Sequence, residues 1–371
     1  MMDLENSFLD HFSDLEDPRS KRNQLYSMAE ILLSAFCAMI AGSLGWQDVQ
    51  DYANSKINYL KKMLPYKNGT PSDDTFRRFF RSIDPESFQR KFREWVTETQ
   101  PHLSSKVIAI DGKSSRHSFD GAAKMLHTVS AYATDARLVL AQEKVSEKSN
   151  EIKAIPEVLE WLDIKGNIVT IDAMGCQHKI ADKIVSKQGD YILALKGNQG
   201  SLSEDVQKCF SENKTLDVFE DYDKGHGRIE HRKCYVINDV DKLKKTHPLW
   251  KSINSIVKIE SSREIKETIS HETRYYISSL KGNSQKVLHA VRSHWAIENS
   301  LHWVLDMSFS DDQSRIRKEN APQVMAIMRH AALNLLQLKK ATMKRMSIRR
   351  LQKMADRDDA VLSSILFREY S

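Results

Sequence analysis

The chain has 371 residues, 40% hydrophobic and 29% charged, with a formal net charge of +6 and a pI near 8.9. That composition excludes a membrane-embedded chain and indicates a soluble globular protein of two or three domains. The basic excess favours a polyanionic partner without establishing one, because many plain enzymes are as basic.

Four cysteines stand at 37, 176, 209 and 234 with no CxxC pair, so neither a zinc knuckle nor a disulfide framework is indicated. A reducing, cytoplasmic home is the expectation. The acidic stretch Met1 to Asp14 lacks the form of a signal peptide, and the most apolar run, Met28 to Ala41, carries Glu30 and is too short to span a bilayer. No membrane partner is expected.

Residues 1–100 read as an all-helical domain. Gln24 to Ile40 forms one helix stopped at Gly42 and Gly45, and Trp46 to Met63 a second. Ser72 or Asp73 caps a third, Asp74 to Ser82, and Asp84-Pro85-Glu86 opens a fourth. The third carries Arg77, Arg78 and Arg81 among Phe76, Phe79 and Phe80. It is either a basic helix laid on DNA, as in a helix-turn-helix, or a core helix with a solvated arginine face.

From Pro101 the pattern changes to strands. Val107-Ile108-Ala109-Ile110 ends abruptly in Asp111-Gly112-Lys113, which describes a buried strand reaching a sheet edge. Met125 to Ala133 and Leu138 to Val145 follow as a meander. Glu151 to Leu162 is helical, bent or restarted at Pro156. Ile168 to Ile171 ends in Asp172, His178 to Lys187 is helical, and Tyr191 to Leu195 ends in Lys196. Helices between the later strands imply right-handed parallel crossovers. Ligands sit outside the carboxyl ends of parallel strands, so adjacent strands at 107 and 168 put Asp111 and Asp172 on one edge, with Lys196 nearby. Taken singly, a strand ending in Asp-Gly is often only a turn.

After Gly197 the alternation breaks into an insertion over about 199–283, with a short helix and strand-like runs at 229–237, 253–259 and 275–280. Its loop Lys224-Gly225-His226-Gly227-Arg228, with His231, Arg232 and Lys233, either follows a phosphate backbone or is a solvated hairpin. From Ser284 a long helix sets Leu288, Val291, Trp295, Glu298, His302 and Leu305 on one stripe. A carboxylate in an apolar stripe needs a partner. For Glu298 that is either His302, one turn on, or a metal ion. Asp306, Asp311 and Asp312 follow, then a helix from Ala321 to Lys340 and a basic tail over 342–371.

If Asp111, Asp172 and Glu298 converge, like charges ~4 Å apart cost about 4 kcal/mol per pair at an effective dielectric near 20. Such a cluster persists when protonated or metal-bound. Oxygen ligands suit Mg²⁺ or Mn²⁺, and a pair of such ions supports phosphodiester chemistry.

Six blocks carry a resemblance: Ile110 to Lys113, Lys148 to Ile152, Ile171 to Gln177, Leu195 to Gln199, Gly225 to Glu230 and His294 to Asp306. Together they resemble the DDE transposases of bacterial insertion sequences, in the branch of the H-repeat-associated proteins of Rhs elements. The resemblance spans about Leu9 to Lys340. It implies an α/β fold: an RNase H-like catalytic domain over 101–341 with a β-rich insertion, preceded by an all-helical, DNA-binding domain over 1–100. It assigns Asp111, Asp172 and Glu298 as the metal-binding triad for Mg²⁺ or Mn²⁺, as two ions. It implies double-stranded DNA as partner (terminal inverted repeats and target), a homodimer in the synaptic complex, and a bacterial, nucleoid-associated location. Lys196, Asn198, Arg228 and Arg232, with Arg77, Arg78 and Arg81, are the candidate DNA contacts. Relatives place a Tyr and an Arg before the Glu and a Lys after it, where this chain has Val291, His294 and Leu305. The auxiliary candidates are therefore Lys113, Arg292, His294, Asn299 and His302. Two alternatives to a transposase remain: a nuclease of the same fold that cuts without joining, and an inactive or repurposed relative that only binds DNA.

Overall fold

The structure is a computed structural model that describes residues 9–20, 22, 24–99, 106–119, 125–146, 150–212, 216–225, 227–266, 268–343 and 345–367. Lys148, Ser149 and His226 of the blocks above lie outside the described residues.

The first helix, α1 (Met28–Ile40), begins where the Ser27 hydroxyl accepts the Glu30 N–H and the Glu30 carboxylate accepts the Ser27 N–H. The helix expected over 46–63 is divided at Lys56 into α2 (Trp46–Ser55) and α3 (Ile57–Leu60). Ser72 caps α4 (Asp73–Ser82), and Pro85 occupies the first turn of α5 (Pro85–Thr99). Phenylalanines 36, 76, 79, 80, 88 and 92 fill the space between them.

Among the described residues, nine strands form one sheet. In chain order come β1 (Val107–Ser115), β2 (Leu126–Ala133), β3 (Leu138–Lys144), α6 (Glu151–Glu160), β4 (Ile168–Ile171), α7 (His178–Ser186) and β5 (Asp190–Leu195). Then follow α8 (Gly200–Glu212), β6 (Asp217–Gly225), β7 (Arg228–Ile237), α9 (Asp241–Thr246), β8 (Ser255–Ile265) and β9 (Thr268–Ser278). The order across the sheet is β3-β2-β1-β4-β5-β9-β8-β7-β6. β1, β2 and β3 are antiparallel neighbours, whereas β1, β4 and β5 run parallel. Three antiparallel strands followed by two parallel ones reached through helices are an RNase H-like arrangement. The inserted strands are not a separate body, because β9 hydrogen-bonds β5 and carries the sheet onward. Pro156 lies inside α6 without ending it.

β1 is buried on both faces, which is why it reads as an unbroken apolar run. Ile108 and Ile110 face α6 and α7, among Ile155, Val158, Ile180 and Ile184. Val107 and Ala109 face the opposite side. There α10 (Ser284–Ala296) lies across the sheet through Val287, Leu288 and Val291.

A π-helical turn, Ile297–His302, joins α10 to α11 (Trp303–Phe309). The last helices are α12 (Ala321–Ala341), α13 (Ile348–Arg357) and α14 (Asp359–Leu366). The basic stretch from 342, read from the sequence as a helical surface element, carries α13 and α14. α13 keeps Arg349, Arg350 and Lys353 in water and buries Ile348, Leu351 and Ala355. Lys56 Nζ lies 2.9 Å from Asp359 Oδ1, and the Tyr59 and Ser363 hydroxyls are 2.9 Å apart. One core thus joins α1–α5 to α12–α14. Among the described residues, no helix is long and apolar enough to cross a membrane.

Candidate active site

The β1–β4 register pairs Ile110 with Ile171, so the next residues, Asp111 and Asp172, stand side by side where β4 ends. Neighbouring strands are separated by about 4.8 Å. Both carboxylates follow the side-chain alternation onto the face covered by α10. On that face Thr170 Oγ1 meets His294 Nδ1 at 3.0 Å. Asp172 Oδ1 accepts the N–H groups of Met174 (3.1 Å) and Gly175 (3.2 Å), which fixes its carboxylate at the turn. Asp172, Glu298, Lys196 and His294 line one cavity of about 480 Å³.

Glu298 is exposed rather than buried in an apolar stripe. The face that carries Val291, Trp295 and Glu298 opens on that cavity, while the buried positions are Val287, Leu288 and Val291 before the π-helical turn, Ile297 and Leu301 within it and Leu305 after it. Trp295, expected inside, is 40% exposed. Glu298 therefore has no need of a core ion pair with His302. His302 turns instead toward Asp111, Nδ1 to Oδ2 3.8 Å, and its buried Nε2 has no hydrogen-bond partner among the described residues.

The electrostatics separate two acidic groups. Burial, with like charge from Asp172, Glu151 and Glu298, pushes Asp111 up to about 7 against a hydrogen bond from Gly112. Burial drives His302 down to about 3, aided by Lys113, and His294 down to about 4, so both imidazoles are neutral. The negative field at Asp111 is left uncompensated, which suits a hard divalent cation.

Asp306, Asp311 and Asp312 also lie close enough together to hold an ion. There, however, Lys113 Nζ approaches them at 2.7, 3.9 and 3.4 Å respectively. Arg329 binds Asp311 at 2.6 Å and Arg116 binds Asp312 at 3.2 Å. Against the cost of burial, Arg329 and Lys113 hold Asp311 below its ordinary value. Three cations already balance three anions, so we read this cluster as an ion-pair network tying β1 to the segment after α11.

Lys196 and Asn198 are exposed on the loop after β5, and Asn198 Nδ2 donates to Ala173 O at 2.7 Å, joining that loop to the turn after β4. Arg228 and Arg232 both pair with Glu230, as does Arg263. These arginines and Arg274 line a cavity of about 580 Å³ that extends to Trp295, Glu298 and Asn299. Arg274 lies over the Trp295 ring at 5.1 Å. Arg292 lines the same cavity and pairs with Asp221 and Asp223 on β6. On α4, Arg77 and Arg78 pair with Asp73 and Asp74, and Arg81 with Glu319. That arginine face is neutralised by its own helix and a loop. Arg263 and Arg274 were not singled out in the sequence, because the outer arms of β8 and β9 alternate polar residues with no apolar face to mark them.

The fold is RNase H-like, and Asp111 and Asp172 follow the paired ends of two adjacent parallel strands. A family model described as "Transposase DDE domain" matches residues 102–335, and one described as "DDE_Tnp_1-associated" matches residues 9–96. The chain belongs to this DDE transposase family. It is 41% identical over 339 residues to "Putative transposase YncI" of Escherichia coli O157:H7, covering 89% of this chain and 87% of that one. It is 38% identical over 368 residues to "H repeat-associated putative transposase YhhI" of Escherichia coli strain K12, covering 96% and 97%. Among solved structures, a piggyBac transposase synaptic complex with hairpin DNA aligns with a TM-score of 0.48 and 10% identity, over 99% of this chain and 81% of that one.

Proposed function

We propose that this chain is a metal-dependent DNA transposase that cleaves at insertion-sequence ends and joins the freed 3′-hydroxyl to target DNA. The observation that carries the reading is the pair Asp111 and Asp172 at adjacent parallel strand ends, with Glu298 on the cavity beside them. Asp111, Asp172 and Glu298 would hold Mg²⁺ or Mn²⁺, as a pair of ions. When bound, the ions supply Lewis acidity toward phosphate and water.

The chain's own residues do the rest. The backbone N–H groups of Met174 and Gly175 hold the Asp172 carboxylate in one orientation. Neutral His302 closes one side of Asp111 without competing for its charge. Lys196, Arg228, Arg232, Arg263 and Arg274 present cations along the groove that ends at Glu298, where a phosphate backbone is the fitting ligand. Two copies of the chain would bring two element ends together.

The test uses the DNA flanking the gene, with its inverted repeats cloned in a supercoiled plasmid. Purified protein is added with Mg²⁺ or Mn²⁺, beside Asp172→Ala. The expected result is cutting at the repeat ends that needs both metal and Asp172, followed by joined products. DNA binding should survive in Asp172→Ala. Cutting by that variant would refute the triad. Cutting without joining would make the protein a nuclease, and binding without cutting an inactive relative.

A further inference from the structure

We propose that a further cavity, beside the turn after β4, takes one unpaired nucleotide of bound DNA, with Lys144 and Arg317 on its phosphate and Glu151 on its base. The inference rests on the reading of this chain as a protein that acts on DNA. It gives a role to Glu151, which opens α6 within the block Lys148 to Ile152.

Four observations carry it. First, the place and size fit. The cavity, about 430 Å³, is walled by the start of β2, the end of β3, the starts of α6 and α12, and Met174. Pockets for single small ligands run from about 300 to 1,000 Å³, so this one admits a nucleotide and not a duplex. Met174 links it to Asp172: its N–H donates to Asp172 Oδ1 at 3.1 Å, while its side chain lines the cavity. A strand with a phosphate at Asp172 passes the mouth of this cavity.

Second, its cations are uncommitted. Among the described residues, neither Lys144 nor Arg317 pairs with a carboxylate; Arg317 Nε donates to His117 O at 2.8 Å, and its guanidinium lies over the Phe119 ring. In the groove that ends at Glu298, by contrast, Glu230 engages Arg228, Arg232 and Arg263, and Glu272 engages Arg274. Glu319, the other acid on the cavity wall, is held by Arg81. Cations without a protein partner suit a phosphate.

Third, Glu151 presents an acceptor in a fixed place. His127 Nε2 meets Glu151 Oε1 at 2.7 Å, and His127 Nδ1 meets Ser114 Oγ at 2.7 Å, so the imidazole is fixed at both nitrogens. The carboxylate also lies against Gly112, where an added Cβ would overlap Oε1. Among the described residues Oε2 has no hydrogen-bond partner. A carboxylate oxygen so placed accepts from an N–H on a base edge, as Glu does from cytosine N4. His127 is here a positioning residue. Fourth, Met125 and Met174 line the cavity although each is nearly half exposed. Thioethers make favourable contacts with aromatic rings, and a base offers one.

The test uses the full chain without metal. Fluorescence anisotropy, read across salt concentrations, follows a labelled single-stranded oligonucleotide, its abasic counterpart and a blunt duplex. Lys144→Ala and Arg317→Ala should each weaken single-strand binding and lower its salt slope by about 0.7. Glu151→Gln, which sets an N–H2 group where the acceptor stood, should cut the preference for the base-bearing over the abasic strand on the order of tenfold. In parallel, 5-iodouracil in the strand is photocross-linked to the wild-type protein and the joined peptides are mapped by mass spectrometry. Cross-links should fall on the peptides of Met125, His127 or Met174, and they decide the matter if a variant does not fold. Arg263→Ala is the reference for the other groove. If it weakens binding while the three cavity variants bind as wild type does and cross-links avoid these peptides, the cavity has no such role and the DNA reading stands. If the wild-type protein binds neither single-stranded nor duplex DNA, the DNA reading fails and this inference fails with it.

Discussion

Replacing Lys113 by methionine should destabilise the fold by about 2–3 kcal/mol. The ammonium sits among three carboxylates, at 2.7 Å from Asp306, 3.4 Å from Asp312 and 3.9 Å from Asp311. Removing one partner of a buried ion pair costs about 3–5 kcal/mol, because the other charge stays buried without compensation. The loss here should be smaller. Asp306 and Asp312 keep 33% and 24% exposure, and Arg329 and Arg116 still serve Asp311 and Asp312. Urea unfolding followed by tryptophan fluorescence, in metal-free buffer, measures the change. Lys91→Met is the internal control. Its ammonium is as covered but pairs with exposed Asp14 and Glu94, each at 2.8 Å, so its loss should stay below about 1 kcal/mol. Asp306→Asn in the Lys113→Met background should recover part of the stability by removing a repulsion. If Lys113→Met costs no more than Lys91→Met, the ion-pair reading of this cluster is wrong and a metal role for the three aspartates reopens.

Acid should weaken the fold through His330. Burial pulls its proton affinity from the ordinary 6.5 to about 4, so the unfolded chain takes the proton first. The contribution is complete above about pH 6.5 and is lost as pH falls toward 4, up to about 3 kcal/mol. His330→Gln should flatten the pH dependence of the urea midpoint in that window; an unchanged slope would count against it. The double variant Arg77→Ala/Arg78→Ala should leave DNA affinity and its salt dependence nearly unchanged, because Asp73 and Asp74 already neutralise those guanidiniums. A marked fall in a filter-binding titration would return α4 to the DNA interface.

Much of the sheet's centre could be read from the residues. β1, β4 and β5 are short apolar runs with polar ends, and burial on two faces writes that pattern directly into sequence. The adjacency of Asp111 and Asp172 followed from it. The outer sheet was less visible. β6 and the far arms of β8 and β9 are largely exposed, so no apolar alternation marks them. Glu298 was misjudged for a different reason. The stripe does set Val291, Trp295 and Glu298 on one face, but past Val291 that face borders a cavity instead of the core. The contact of Glu151 with Gly112 joins residues 39 positions apart, and no local signal announces it.

The shared core of α1–α5 and α12–α14 bears on how the chain is made. Phe36, Phe79 and Phe80 are packed in the same cluster as Leu333, Leu336, Leu351 and Leu362. Contacts so distant in sequence form late, after the intervening chain is available. During synthesis the first helices therefore emerge with an apolar face that has nothing to cover it until residues beyond 320 have left the ribosome. The RNase H-like strands between them can collapse on their own faces sooner. A message truncated within the central domain would yield a first domain with an open core, prone to aggregation and proteolysis. A broken gene copy would then tend to be cleared rather than persist as a free DNA-binding fragment.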